Sequence, residues 1–465
     1  MTEHATDAMQ QFGAPGPTGG HGTSAGLVLL YAEAFTSLPS VWPLRTTTPN
    51  AIGSSATADL VLPVPAVSRQ HAEIVRERGA WVLRDKKSTN GTFVDGYRVH
   101  EARLEHGQEV RLGDAILKFV AADAEGHAPY RIDGTLLSGT QRLGPKVRGL
   151  IGGYQIDRVA RQIELVAREA PGATPLSVLL LGESGTGKEV VAQAIHDRSG
   201  RRGDFRAVNC AALPKDLVES ELFGYRRGAF SGAIRDKPGL IRMAHKGTLL
   251  LDEIGDMPLD AQAKLLRVLQ SKELFPLGAT EPEPVDVRII GATHRNLSQL
   301  LEEGRFRQDL YARLNEYHLS LPPLRERKED IYMLLAEFFH RHGGQNLRVT
   351  FPFMMALLHY DWPYNVRELE SCAKRCVVLS EGKPLSEEML TDDIAREMSD
   401  YGREFAPAEG SKEESVAPSR EELVQLLERH QGNVAAVGRD LGKARMQIHR
   451  WLKRYTIDID DYRPQ

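Results

Sequence analysis

The feature that most constrains this chain is a glycine-rich turn at residues 176–189, LSVLLLGESGTGKE, set between an apolar run and a helical pattern. The apolar run is typical of a buried parallel strand, and the following EVVAQAIHDR is typical of a helix. The Gly-x-x-x-x-Gly-Lys spacing directs backbone N–H groups at phosphate oxygens beside a helix N-terminus. An accidental glycine loop is the alternative. We predict a nucleotide-phosphate site formed by Gly182, Glu183, Ser184, Gly185, Thr186, Gly187, Lys188 and Glu189.

Length and charge limit the other possibilities. The 465 residues are too many for one hydrophobic core, so three or four folded units are expected. The 59 Lys and Arg nearly balance 63 Asp and Glu, so a nucleic-acid-binding face must be local. Cys210, Cys372 and Cys376 indicate reduced core thiols and no disulfide framework. Without a leader pattern or an apolar run of about 18 residues, the sequence predicts a soluble cytoplasmic protein with no membrane contact.

The N-terminal third predicts a small β domain. Residues 1–24 are rich in Gly, Ala, Pro and Thr, which is typical of a disordered tail. Residues 25–122 alternate short apolar strands with turns, which predicts an all-β sandwich. Its segments Ser68-Arg69-Gln70-His71 and Ser88-Thr89-Asn90-Gly91-Thr92 resemble the recognition loops of forkhead-associated (FHA) domains. The resemblance implies a phosphothreonine site that uses Ser68, Arg69 and Asn90, with His71 holding the loop. Asn90-Gly91 alone would also fit a hairpin turn.

One departure from the FHA pattern bears on that site. The family usually carries Gly-Arg where this chain has Gly53-Ser54, and in the family that arginine binds the phosphate. Weakened or altered phosphopeptide binding is expected unless Arg69 or Arg45 supplies the charge. The implied partner is a phosphothreonine protein or a Ser/Thr kinase. Residues 123–149 mix Gly, Pro and charged residues, as linkers do.

A second apolar run ends in two carboxylates at residues 247–253, GTLLLDE. Asp252 is placed to hold Mg²⁺, and Glu253 to polarise the water that attacks the γ-phosphate of ATP. Such a pair is often only a solvated strand end, but its position 64 residues after Lys188 favours catalysis. Because Glu189 replaces the usual Ser or Thr ligand, metal binding must depend on Asp252 and water.

The segment 221–233, ELFGYRRGAFSGA, places one aromatic residue among Gly, Ala and Ser. Such residues anchor a loop poorly, which predicts a mobile tip presenting Phe230; packing of Phe230 in the core is the alternative. Residues 150–400 resemble the bacterial sigma-54-dependent transcription activators, a branch of the AAA+ ATPases. The resemblance implies that sigma-54 RNA polymerase is contacted by Gly228, Ala229, Phe230, Ser231, Gly232 and Ala233. Ser231 replaces the family threonine, so weaker remodelling is expected.

The same resemblance implies further roles in a hexameric or heptameric ring. Asn209 would switch onto the catalytic glutamate, and Arg307 and Arg313 would reach the neighbouring subunit's nucleotide. A surface arginine pair is otherwise usually just solvated. His294 stands where the family has a γ-phosphate-sensing asparagine, so slower or pH-sensitive hydrolysis is expected. Arg367 would sense the γ-phosphate from the lid, near Tyr364 in place of a usual glycine. An α/β subdomain at 150–324 and a helical lid at 325–399 are implied.

The C-terminal region predicts a DNA reader. Residues 400–418 are typical of a linker, and residues 419–465 show helical patterns with helix-turn-helix core spacing. Residues 439–454 carry six Lys or Arg against one acid, a local charge of +5. A charged bundle for dimer contacts is the alternative. The segment resembles a Fis-type domain, which implies enhancer DNA binding by Arg445, Gln447, Arg450 and Lys453.

Together these patterns predict a multidomain activator: an FHA sandwich, an AAA+ ATPase with a helical lid, and an all-α DNA-binding domain. It would hydrolyse ATP with Mg²⁺ in a ring and remodel the closed polymerase–promoter complex into the open one. Two alternatives remain. One is a generic AAA+ unfoldase, and the other is a phosphopeptide-binding adaptor with an impaired ATPase.

Overall fold

A computed structural model describes residues 24–168, 175–399, 401–403 and 418–441, together with residues 448, 451, 452, 454, 455, 457 and 459–462. The chain separates into two compact units. Unit 1 comprises residues 1–140 and 400–405, and unit 2 comprises residues 141–399 and 406–465. The predicted disordered tail, apart from Ser24, and most of the predicted linker at 400–418 lie outside the described residues.

Unit 1 is a two-sheet β structure, as predicted. One sheet has the strand order β2-β1-β11-β10-β7-β8, and the other has the order β4-β3-β5-β6-β9. All described pairs are antiparallel except β3 with β4. The strands are β1 (Gly26–Tyr31), β2 (Val41–Pro43), β3 (Asn50–Gly53), β4 (Leu60–Val61), β5 (Ala72–Glu77), β6 (Ala80–Asp85), β7 (Thr92–Val94), β8 (Tyr97–Val99), β9 (Glu101–Leu104), β10 (Glu109–Leu112) and β11 (Ala115–Val120).

The chain continues to pack after the last strand of the sandwich. Residues Ala124–His127 form a short 3-10 helix, and Ala124 is buried against Val28 and Val41. The segment predicted as a linker from residue 123 therefore begins with ordered structure, because one small apolar side chain fills a gap beside β1 and β2.

Unit 2 is built on a five-stranded parallel sheet with the order β13-β16-β19-β12-β20. Two short antiparallel hairpins accompany the sheet. The sheet strands are β12 (Val178–Leu181), β13 (Phe205–Asn209), β16 (Thr248–Asp252), β19 (Arg288–Thr293) and β20 (Tyr317–Ser320). The hairpin strands are β14 (Gly224–Tyr225), β15 (Lys237–Pro238), β17 (Glu273–Leu274) and β18 (Glu283–Pro284).

The helices around this sheet explain its apolar strands. The central strands have uninterrupted apolar sequences because a cluster of buried apolar side chains packs on each face of the sheet. All carboxyl ends of the parallel strands lie at one edge, which is where polar side chains converge. The helices are α1 (Tyr154–Ala167), α2 (Lys188–Ser199), α3 (Lys215–Phe223), α4 (Leu240–Met243), α5 (Leu259–Ser271), α6 (Leu297–Glu302) and α7 (Gln308–Leu314).

A group of helices follows the sheet, as predicted for the lid. These helices are α8 (Ile331–Arg341), α9 (Phe351–His359), α10 (Asn365–Ser380) and α11 (Asp392–Met398). Cys372 and Cys376 lie buried and free on α10, and Cys210 is likewise a buried free thiol. The predicted reduced core thiols are confirmed.

The C-terminal region contains helices α12 (Arg420–Arg429) and α13 (Val434–Asp440). Ile448, Trp451 and Leu452 pack in one buried cluster with Leu423 and Leu427, as the predicted core spacing requires. The predicted DNA contacts Arg445, Gln447, Arg450 and Lys453 lie outside the described residues. Across the part of the chain that the structure describes, no helix is both long and apolar enough to cross a bilayer.

Candidate functional site

The glycine-rich turn connects β12 to α2 through backbone conformations that favour glycine. Gly185 and Gly187 adopt φ values of 76° and 104°. The Thr186 hydroxyl donates a hydrogen bond to the Glu183 carbonyl oxygen at 2.8 Å, which closes the turn on itself. The loop therefore delivers its backbone to the N-terminus of α2, the geometry that binds phosphate.

Lys188 is buried at the centre of this loop, with 7% of its surface exposed. Its Nζ donates to the carbonyl oxygens of Gly182 at 2.8 Å and Glu183 at 3.2 Å. It also lies 3.8 Å from Oε1 of Glu253. Burial lowers the pKa of Lys188, and the neighbouring Glu253 and Asp252 carboxylates oppose that shift. The ammonium group is thus held by weak neutral acceptors that a phosphate oxygen can replace.

The carboxylates of Asp252 and Glu253 lie at the carboxyl end of β16. Burial raises the pKa of Asp252, and the charges of Glu253 and Glu189 add to that rise while Lys188 opposes it. Glu189 is exposed in the first turn of α2. A carboxylate beside a phosphate loop is a ligand that suits a hard divalent cation, because the cation offsets the repulsion between neighbouring negative charges. Asp252 therefore fits a single carboxylate ligand of Mg²⁺, and within the described residues no group of three or more His, Cys, Asp or Glu side chains could hold a metal ion.

Glu253 is oriented by His294, the residue that departs from the family pattern. The His294 Nδ1–H donates to Glu253 Oε2 at 2.8 Å, across neighbouring strands β16 and β19. Burial alone would raise the pKa of Glu253, but the hydrogen bond and charge of His294, together with Lys188, lower it below its usual value. An ionised Glu253 is the form that can accept a proton from water.

Asn209 makes no side-chain hydrogen bond to Glu253 in this structure. Its side-chain oxygen accepts hydrogen bonds from the backbone N–H groups of Ala211 at 2.9 Å and Ala212 at 3.2 Å. It lies opposite Asp252 in the register of β13 and β16, at the same sheet edge as Glu253. The predicted switch therefore stays a prediction, and His294 holds the glutamate in the state described here.

Asn365 is a site residue that sequence reasoning missed. It is fully buried, and its Nδ2 donates to the Ser184 carbonyl at 3.0 Å and to Glu183 Oε2 at 3.2 Å. Arg325 makes a two-pronged ion pair with Glu183 at 2.7 and 2.5 Å. The only sequence signal was an asparagine at the start of a helix, which usually indicates a cap.

Arg367 lies at the phosphate loop, where the family resemblance expects it. Its guanidinium donates to the Ser184 hydroxyl at 3.4 Å. Tyr364 has φ −101°, which does not require glycine, and 49% of its surface is exposed. The neighbouring Trp362 and Asn365 take the left-handed values of 54° and 52° instead. Tyrosine in place of the usual glycine therefore leaves this turn intact.

The Phe230 tip projects from the β14–β15 hairpin. Phe230 is 47% exposed, and its ring meets the edge of Tyr225 with centroids 4.9 Å apart. Two backbone hydrogen bonds close the loop. The Gly228 N–H donates to the Ala233 carbonyl oxygen at 2.9 Å, and the Ala233 N–H donates to the Phe230 carbonyl oxygen at 3.0 Å. The alternative interpretation, with Phe230 in the core, is wrong, because small flanking residues leave its ring outside.

Charged residues fix the base of this loop. Arg226 bonds Asp236 at 2.7 Å and also pairs with Glu283 on β18. The Arg226 N–H donates to the Leu277 carbonyl at 2.9 Å, which joins the two hairpins of unit 2. The loop therefore combines a base held by ion pairs and hydrogen bonds with an exposed apolar tip, which is an arrangement suited to contact with another protein.

The predicted trans-acting arginines lie at the surface. Arg307 precedes α7 and pairs with Asp309 at 2.7 Å, and Arg313 is exposed in the last turn of that helix. Both side chains are accessible to a neighbouring subunit. Their predicted role at that subunit's nucleotide stays a prediction.

In unit 1 the two FHA-like loops are held together by His71. Its Nδ1 accepts from the Ser68 N–H at 3.1 Å, so the opposite nitrogen donates to the Gly91 carbonyl at 3.2 Å. Burial lowers the pKa of His71, while the Gly91 bond opposes that shift. Ser68 Oγ accepts from the Thr89 N–H at 3.1 Å. A neutral imidazole thus sets the spacing between the two loops.

The two arginines suggested as a replacement cation, Arg45 and Arg69, differ in their surroundings. Arg45 is paired with Asp59 and donates to the Pro49 carbonyl at 3.2 Å, so its charge is already used. Arg69 is exposed. A side chain at Gly91 would come within 2.7 Å of Arg98 Nε, so Arg98 lies directly beside the second loop. No pattern in the sequence distinguishes Arg98 from other surface arginines.

Family models match three segments of the chain. The Sigma-54 interaction domain matches residues 153–320, the FHA domain residues 50–113, and the AAA+ ATPase lid domain residues 325–406.

Individual relatives agree with these matches. The transcriptional regulatory protein GlrR of Escherichia coli is 40% identical over 66% of this chain and 67% of its own length. The putative uric acid sigma-54-dependent transcriptional regulator UacR of the same organism is 43% identical over 67% of this chain. The chain spans 55% of UacR's length. NtrX from Brucella abortus, crystallised with ATP, is 32% identical with a TM-score of 0.50, covering 66% of this chain and 70% of NtrX.

Proposed function

Because the chain belongs to the family of sigma-54-dependent transcriptional regulators, we propose that it hydrolyses ATP to activate sigma-54 RNA polymerase. Nucleotide turnover in a hexameric or heptameric ring would drive the Phe230 tips against sigma-54. That contact would convert the closed polymerase–promoter complex into the open one. The C-terminal domain would tether the ring to enhancer DNA.

One observation carries this proposal: a single subdomain joins a phosphate loop to an exposed aromatic tip. Lys188 lies 3.8 Å from Glu253 at the carboxyl edge of the sheet. Phe230 lies half-exposed on a hairpin inserted between β13 and β16 of the same sheet. A generic unfoldase has the first part but does not need the second.

Each residue at the sheet edge would have a different role in ATP hydrolysis. Lys188 and the loop N–H groups would bind the β- and γ-phosphates, and Glu253 would accept a proton from the attacking water. Asp252, with Glu189 nearby, would hold Mg²⁺, which when bound neutralises developing charge on the phosphate oxygens. His294 would keep Glu253 in place, which is a positioning role.

A binding assay with the full chain tests the activator proposal. With a transition-state analogue of ATP, the ring should capture sigma-54, and without nucleotide it should not. Capture in the analogue state alone supports an activator. Equal capture in both states, or none in either, supports the unfoldase alternative. ATP turnover by the purified protein would contradict the adaptor alternative.

Arg307→Ala should abolish turnover and leave ATP binding intact. An arginine supplied by the neighbouring subunit stabilises transition-state charge, which in other phosphoryl-transfer enzymes contributes about 10³–10⁵ in rate. Steady-state hydrolysis and fluorescent-nucleotide binding are measured side by side, across protein concentrations. Arg305→Ala is the matched control, since it removes a nearby surface arginine paired only to Glu303 in the described contacts. Turnover that is independent of concentration, or that survives in Arg307→Ala, would contradict the shared site.

The FHA domain is expected to bind a phosphothreonine peptide weakly. His71 joins the loop of Ser68 to the loop of Asn90 through its bond to the Gly91 carbonyl, but Ser54 replaces the arginine of the family pattern. Ser54→Arg should tighten binding by at least about tenfold, since charge-assisted hydrogen bonds contribute roughly 1.5–3 kcal/mol. Titration calorimetry with a phosphothreonine peptide measures the effect, and the unphosphorylated peptide is the control. Tight wild-type binding lost in Ser68→Ala would show instead that Arg69 or Arg98 already compensates.

A further inference from the structure

The outer edge of β8 is occupied by a distant part of the chain. β8 is the last strand of its six-stranded sheet, so its outward backbone groups need another partner. The Arg98 N–H donates to the Arg403 carbonyl at 2.9 Å, and the Gly402 N–H donates to the Gly96 carbonyl at 2.7 Å. Residues 401–403 thus cover this edge within unit 1.

The side chain of Tyr401 enters a prepared aromatic and charged site. Its ring stacks on Phe93 with centroids 6.1 Å apart and planes 26° apart. The Arg111 guanidinium lies over both rings, 4.8 Å from the centroid of Phe93 and 5.6 Å from that of Tyr401. The Tyr401 hydroxyl donates to Glu109 Oε1 at 3.3 Å. Stacking, cation–π attraction and a hydrogen bond to a buried carboxylate converge on one side chain.

We propose that this face of the FHA domain is a docking surface for the chain's own segment 401–403, and that the contact, here called the clasp, restrains the ATPase lid. The surface consists of Phe93, Gly96, Arg98, Glu109 and Arg111. The lid part of the proposal rests on the ATPase function proposed above, whereas the docking part does not.

The position of the clasp in the chain explains why it restrains the lid. Helix α11 ends at Met398, so only residues 399 and 400 separate it from Tyr401. The same helical group contributes Asn365 and Arg367, which bond Ser184 in the phosphate loop. In the proposed cycle, exchange of nucleotide would break and re-form these bonds, which is a lid movement. Because the clasp holds Tyr401 on the FHA domain, the last lid helix can move away from that domain only as far as residues 399 and 400 allow.

Arg98 connects the clasp to the recognition loops. Its backbone N–H bonds Arg403, while its side chain lies against Gly91, next to Asn90. The residue that holds the clasp is therefore also the cation beside the proposed phosphopeptide site. A phosphate bound there would attract the same guanidinium.

Hydrogen exchange on the full chain tests the docking part. In Tyr401→Ala the amide of Arg98 should exchange at least about tenfold faster than in wild type, because loss of the stacked ring weakens the local closed state. Tyr401→Phe keeps the ring and should stay within about threefold of wild type. Gly402→Pro removes the Gly402 N–H and excludes its φ of 90°, so it should behave as Tyr401→Ala does. Equal Arg98 exchange in wild type and Tyr401→Ala would overturn the clasp.

ATP turnover of the same variants tests the restraint. Tyr401→Ala and Gly402→Pro should hydrolyse ATP at least about threefold faster than wild type and Tyr401→Phe, since lid movement limits many such cycles. Faster Arg98 exchange with unchanged turnover would overturn the restraint and leave only docking. If no variant or wild type hydrolyses ATP, the proposed function fails, while the exchange rates still decide whether the clasp exists.

Discussion

Glu253→Gln should reduce ATP turnover by about 10²–10⁴-fold, the usual contribution of a positioned general base, while ATP binding persists. The neutral amide keeps the shape and can still face His294, but it cannot accept a proton from the attacking water. The burial of Lys188 and its contacts with the loop carbonyls are unaffected by this change, so the phosphate site should remain. Steady-state hydrolysis and equilibrium binding of a fluorescent ATP analogue measure the two properties separately.

Glu303→Gln is the matched control for this substitution. Glu303 is the C-cap residue of α6 and pairs with Arg305 at the surface, so its loss should leave turnover within about twofold. If Glu253→Gln hydrolyses ATP as the wild type does, the assignment of the general base is wrong. If it also loses ATP binding, Glu253 serves the structure of the site and not the chemical step.

Phe230→Ala should reduce promoter opening by about 30-fold or more while ATP turnover stays within about twofold of wild type, because an exposed tip contributes little to the fold and much to an interface. Loss of a central aromatic contact at an interface typically costs 2 kcal/mol or more, which is a fall of about 30-fold or greater in occupancy. Single-strand-specific footprinting of a sigma-54 promoter, with polymerase and ATP present, measures the open complex. Phe230→Tyr keeps the ring and should retain most of the opening.

Val378→Ala provides the comparison for a nonspecific loss of apolar surface. Val378 is 72% exposed on α10 and lies outside the Phe230 tip, so promoter opening should survive its truncation. Full opening by Phe230→Ala would remove the basis for an aromatic tip that acts on sigma-54. Loss of both opening and turnover in Phe230→Ala would instead indicate a defect in the ATPase itself.

The sequence alone determined the order of domains and the position of the phosphate loop. Both depend on local rules: a buried parallel strand must be apolar, a tight turn into a helix needs glycine at Gly185 and Gly187, and a loop of small residues cannot bury Phe230. The exposed tip and the parallel sheet therefore agree with the prediction. The departures at Ser54, His294 and Tyr364 were visible in the sequence, but their consequences were not.

Those consequences were decided by contacts between residues far apart in the chain. The bond between Glu253 and His294 spans 41 positions, the bond from Asn365 to Glu183 spans 182, and the bond from Tyr401 to Glu109 spans 292. No periodicity or spacing encodes such a pair, because each partner is also compatible with a solvated or capping role in its own segment. Only the packing of strand ends, lid and sheet edge selects one partner for each of these side chains.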